Sequence, residues 1–143
     1  MNDIPMQIGL DIHGVIDKFP EQFRELSKMW DEQGHRIHIV TGQEWDIALP
    51  QVHEAGIVFH EHYSIVDRHQ LLSTEMYERT DKEGWWMNDM DWNSSKGNYA
   101  MANGLDIHFD DSFIYGEYFP LFTTYVRVPQ KGFDEILEKM FLT

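Results

Sequence analysis

The chain has 143 residues, of which 42% are hydrophobic and 14% aromatic, enough for a packed core and inconsistent with wholesale disorder. Its formal net charge of −14 argues against a nucleic-acid partner held by its backbone, so an anionic substrate would need a local cation. Cysteine is absent, which excludes disulfides, thiol nucleophiles and thiolate zinc centres, and no apolar run reaches the roughly 18 residues of a membrane span.

The N-terminus MNDIPMQIGL has no basic leader, and with no membrane span a cytoplasmic protein is expected. MQIGLD (6–11) reads as a short buried strand ending at Asp11. From Phe19, apolar residues recur as Phe23, Leu26 and Trp30, one face of a helix that Pro20 opens and Gly34 ends. Asp17 is placed to cap that helix. HRIHIVTG (35–42) is a second strand, closing on Thr41 and Gly42. EWDIALPQVHEAG (44–56) has Trp45, Ala48, Leu49 and Val52 at helical spacing, and Pro50 is expected to split it into two short pieces. IVFHEHYSI (57–65) is a third strand.

From 66 to 95 the pattern changes. TEMYERTDKEGWWMND sets a turn-like DKEG between β-prone residues, which suggests a hairpin. SKGNYAMANG (95–104) then reads as a short helix starting beside Lys96, DIHFDD (106–111) and LFTTYVRV (121–128) as strands, and GFDEILEKMF (132–141) as a closing helix. Strand and helix alternation of this kind predicts an α/β fold: a three-layer, Rossmann-like arrangement with a mostly parallel central sheet and a small insert after the third strand. Residues 1–143 are read as one such domain, with the insert over about 66–95.

In sheets of this kind the ligand site lies at the carboxyl ends of the strands. Asp11, Thr41 with Gly42, and the pair Asp110–Asp111 all fall there. If they converge, with Lys96 beside them, the site has hard oxygen ligands suited to Mg²⁺ and donors for a phosphoryl group. One carboxylate would remain free to attack it. Zinc is the weaker expectation. His60 and His62 share a strand face, as do His108 and Asp110, but no ligand helix of the HExxH type is present.

The segments IGLDIHGVID, IHIVTG, SKGNYA and IHFDDS, in that order, resemble the four successive motifs of the haloacid dehalogenase superfamily of phosphohydrolases. The resemblance spans residues 6 to 112. It implies that Asp11 is the nucleophile, forming an aspartyl-phosphate, and also a Mg²⁺ ligand. It further implies that the backbone carbonyl of His13, Asp110 and Asp111 complete the metal shell, Asp111 directly or through water. Thr41, with Gly42, would hold the phosphoryl oxygens, and Lys96 would neutralise and orient both Asp11 and phosphate. The segment 66–95 would be a reduced cap, with Trp85, Trp86 and Trp92 reaching the leaving group of a small phosphorylated molecule.

One position departs from the family. Its phosphatases carry a second aspartate, which protonates the leaving group and activates water, where this chain has His13. Imidazole is chemically able to perform both transfers, its ordinary pKa of about 6.5 lying near working pH. The leading expectation is therefore a Mg²⁺-dependent phosphomonoesterase using His13. A metal- and phosphate-binding regulatory protein with weak turnover, or a phosphotransferase, are the alternatives.

Overall fold

The structure is a computed structural model, and it describes residues 4–80 and 84–130. Five strands form one sheet: β1 (Gln7–Leu10), β2 (Arg36–Thr41), β3 (Glu61–Ser64), β6 (Ile107–Asp110) and β7 (Thr124–Arg127). Their order is β3-β2-β1-β6-β7, and every pairing is parallel. Ile8 pairs with Ile37 on one side and Ile107 on the other, so β1 is central. The chain steps outward from β1 through β2 to β3, then returns to place β6 against the other edge of β1. That reversal makes the β1–β6 junction the topological switch point of the sheet.

Helices cover both faces, giving the three layers and the Rossmann-like class expected. Ile8, Leu10, Ile37 and Ile39, on one face, pack with Ile107 and Phe109 against α1 (Pro20–Glu32) and α2 (Trp45–Ala55). Phe23 and Trp30 of α1 meet the Phe109 ring at centroid distances of 5.7 and 5.9 Å. On the other face, Val40 packs with Ala100 of α4 (Asp89–Asn103) and with Leu105 and Phe119. Between β3 and α4 lie α3 (Ile65–Leu71) and an antiparallel hairpin of β4 (Met76–Glu78) and β5 (Trp85–Met87), the last being the hairpin expected.

Several boundaries differ from the sequence reading, each for a local reason. Pro50 does not split α2, because it removes only one helical hydrogen bond while fully buried Ala48 and Val52 pin the helix on either side. The third strand is shorter than 57–65. The Ile57 amide closes the end of α2 on the Val52 carbonyl and the Val58 amide donates to Ser27 Oγ, so neither is free for the ladder. β7 starts only at Thr124, because 120–123 form a turn with Thr123 donating to the Pro120 carbonyl. The helix read over 95–104 begins at Asp89, where the Asn88 side chain accepts from the Met90 amide and Asp89 and Asp91 face the positive end of the helix dipole. Lys96 therefore sits in the middle of α4 rather than at its start. Asp17 does not cap α1; its carboxylate turns back to the Gly14 amide. The helix read over 132–141 lies outside the described residues.

Candidate phosphoryl and metal site

Two neighbouring strands end in carboxylates at the switch point. Asp11 follows β1, its amide still donating to the Phe109 carbonyl, and Asp110 is the last residue of β6. Oxygens of Asp11, Asp110 and Asp111 lie within 4.8 Å of one another. Asp11 and Asp110 are buried, and so is Lys96, which reaches them from α4. Its Nζ lies 3.0 Å from Asp11 Oδ1 and donates to Asp110 Oδ2 at 2.9 Å. The same Asp110 oxygen accepts from His108 Nε2 at 3.0 Å, and Asp110 Oδ1 accepts from the Ser112 amide at 3.2 Å.

The charges are unequal by construction. Burial pushes the Asp11 carboxyl up to about 8, Lys96 opposing and Asp110 and Asp111 adding to the rise. Burial pushes the same way at Asp110, but the Lys96 ammonium and the His108 donor outweigh it and hold Asp110 well below the usual carboxylate range. Burial alone would lower Lys96, yet Asp11 and Asp110 together raise it, so it stays charged. Asp111 is raised by burial and by its neighbour Asp110. One ammonium thus faces three carboxylates, and the cluster retains room for a divalent cation.

The turn after β1 is built around a glycine. Gly14 has φ +79°, and a Cβ there would stand 2.4 Å from Asp111 Oδ2, so a side chain would displace the third carboxylate. Asp17 ties the turn, accepting from the Gly14 amide at 2.7 Å and from His13 Nδ1 at 3.1 Å. His13 itself has extended backbone and a half-exposed side chain.

A cavity of about 640 Å³ opens over these groups. Asp11, His13, Gly42, Lys96 and Asp111 reach its wall. Thr41 and Asp110 are fully buried and lie outside that lining. The Thr41 hydroxyl oxygen accepts from the Gln43 amide at 3.2 Å, shaping the turn that presents Gly42. Trp92 of α4 packs its ring edge onto that glycine, where a Cβ would fall 2.8 Å away. Trp85 and Trp86 of the hairpin form the facing wall.

Two contributors were not singled out for these roles from the sequence. His108 was grouped with Asp110 only as a zinc candidate; the same alternate spacing places it as a hydrogen-bond donor beneath the carboxylate. Tyr115 had no sequence signal, because it enters from a single 3₁₀ turn (Tyr115–Tyr118). Its hydroxyl accepts from Trp92 Nε1 at 2.7 Å, and Lys96 Nζ lies 5.2 Å from its ring centre. The zinc grouping at His60 and His62 has structural partners instead. His60 Nδ1 accepts from the Ile37 amide and Nε2 donates to Asp31, while His62 stacks on Trp45 at 4.0 Å. Among the described residues, the three aspartates are the one grouping of this size able to hold a metal.

No family model, curated protein or solved structure matches the chain. Among the described residues no helix is long and apolar enough to cross a membrane.

Proposed function

We propose that this chain is a Mg²⁺-dependent phosphohydrolase of the haloacid dehalogenase type, acting on a small phosphomonoester through an aspartyl-phosphate on Asp11. The observation that carries the reading is the meeting of Asp11, Asp110, Asp111 and Lys96 at the switch point of a parallel sheet. The donor set fits Mg²⁺: all three side chains offer oxygen, the His108 imidazole beside them is engaged as a donor to Asp110, and one lysine leaves negative charge to be balanced. Asp11, Asp110 and Asp111 would hold the ion, with the carbonyl of His13. When bound, Mg²⁺ neutralises charge on the phosphoryl oxygens.

The protein's own groups divide the remaining work. The Asp11 carboxylate attacks phosphorus, the P–O ester bond breaks, and the departing alkoxide takes a proton from His13. His13 then removes a proton from water, which attacks the acyl-phosphate and returns Asp11 and inorganic phosphate. Lys96 keeps Asp11 oriented toward phosphorus and offsets charge on the transferring group. The Gly42 turn, shaped by the buried Thr41 hydroxyl beneath it, forms the phosphoryl-holding end of the site.

A phosphate-release screen over sugar phosphates, nucleotides and small phosphoesters tests this reading. Release should require Mg²⁺ and vanish in Asp11→Asn; persistence in that variant overturns the mechanism. His13→Ala should slow turnover far more than it weakens binding, and His13→Asp should restore it. A second reading, a phosphate-binding regulatory protein with little turnover, draws on the half-exposed His13 standing where the family has a second aspartate. It predicts Mg²⁺-dependent phosphate binding with no release from any ester.

A further inference from the structure

The cavity is far larger than a phosphoryl group, and its two ends differ in chemistry. Its volume of about 640 Å³ falls in the range of sites that enclose whole small molecules. Besides the acids and Lys96 it is walled by Trp85, Trp86, Trp92 and Tyr115, with Ile47, Val66 and Arg79. Three of these rings are already committed to each other or to the fold. Trp92 lies against Gly42 and donates to Tyr115; Trp86 stacks on Trp92 at 4.9 Å, with the Arg79 guanidinium 4.7 Å from its centre. They form a fixed backing. Trp85 is half-buried, packs at the edge of the Ile65, Val66, Met87 and Trp92 cluster and lines the cavity, and no aromatic ring stacks on it among the described residues.

The polar groups at this end are also selective. Ser112 Oγ is occupied by the Ile114 and Tyr115 amides, whereas Gln43 and Glu44, on the turn after Gly42, bring a carbonyl and a carboxylate to the cavity wall. Gln43 Oε1 is buried without a hydrogen-bond partner, an arrangement that costs free energy until a donor reaches it. A tryptophan in the same cavity as carbonyl and carboxylate acceptors complements a flat ring carrying N–H donors.

Resting on the phosphohydrolase reading, we propose that the substrate is a phosphomonoester whose organic part is an amino-bearing heteroaromatic ring, seated against Trp85 with its N–H groups toward Gln43 and Glu44. Trp85 is then the specificity-determining residue of the hairpin.

The test compares esters that share one leaving group. Adenosine and cytidine 5′-monophosphates and ribose 5-phosphate all release the same primary alkoxide and differ in the ring alone. With Mg²⁺, the better nucleotide should exceed ribose 5-phosphate in kcat/KM by about tenfold or more, mostly through KM, as stacking on an aromatic side chain allows. Trp85→Ala and Trp85→Leu should bring that ratio close to one by lowering kcat/KM for the nucleotides more than for ribose 5-phosphate; the leucine variant preserves apolar volume and guards against misfolding. Equal kcat/KM for all three esters in wild type, or a ratio unaffected in both variants, overturns the proposal. Free adenosine and cytidine provide a readout independent of chemistry. Either should raise the Tm of wild type and not of the Trp85 variants. If no ester is hydrolysed, the phosphohydrolase reading fails, and this Tm shift alone decides whether the ring seat exists; its absence overturns the seat as well.

Discussion

At the residue scale, the site turns on one lysine shared by two buried acids. Breaking such an arrangement by removing a partner is costly because the remaining charges stay buried. Lys96→Met should therefore lower stability by about 3–5 kcal/mol in denaturant melts. Millimolar Mg²⁺ should recover part of that loss by binding the folded state, whereas an unchanged melt in the presence of Mg²⁺ would separate the carboxylates from metal binding. Asp110 depends on His108 from the opposite side, and His108 fits because Gly9 has no side chain; a Cβ there would stand 2.4 Å from His108 Nδ1. Asp11, Asp110 and Lys96 were legible from the sequence because strand ends and motif order mark them. His13 was legible as an anomaly, but its tie to Asp17 was not, since a sequence gives Asp17 equal claim to a helix cap. Tyr115 was not legible at all, as one 3₁₀ turn carries no periodicity.

Elements decide which residues reach the cavity. The strands were readable from short β-rich apolar runs, yet their ends were not, because amides such as those of Ile57 and Val58 are claimed by non-local partners. The start of α4 was missed because Asp89-Met-Asp-Trp-Asn lacks an apolar stripe, and its helical state is set by the Asn88 cap and by Trp92 packing with Ile65, Val66 and Met87. That same packing presses Trp92 onto the turn after β2. Gly42→Ala must push the tryptophan away or move the turn, an overpacking that typically costs about 1–3 kcal/mol. The expected outcome is a lower Tm together with a raised KM for every phosphoester, since the displaced turn carries the amide proposed to hold the phosphoryl group. A raised KM limited to ring-bearing esters would instead place Gly42 outside the phosphoryl end.

Across the whole molecule, α4 rests on a sheet face that holds two buried histidines, His38 and His108. His38 Nε2 meets Gln7 Oε1 and Nδ1 meets the Tyr99 hydroxyl, partners that serve a neutral ring, and burial lowers its pKa to about 4. An unfolded histidine titrates near ~6.5. Between those two values the unfolded chain holds the proton and the folded chain does not, so stability is full above the higher value and falls as pH drops toward the lower. The raised Asp11 carboxyl acts in the opposite sense over this range, so the His38 part is read as a difference. The Tm gap between wild type and His38→Gln should narrow as pH drops from 7 to 4, and an unaltered gap would show that His38 does not contribute. The α/β class was legible in the alternation of elements, whereas which helix covers which polar residue depends on strand order, and the sequence does not state that order. The hairpin runs almost directly into the helix that carries Lys96. β5 ends at Met87 and α4 starts at Asp89, with Lys96 two helical turns further on, about 10 Å along the axis. The tryptophan strand therefore leads into one continuous helix whose ammonium grips both acids, so on the proposed function a ligand pressing on the first would bear on the alignment of the second.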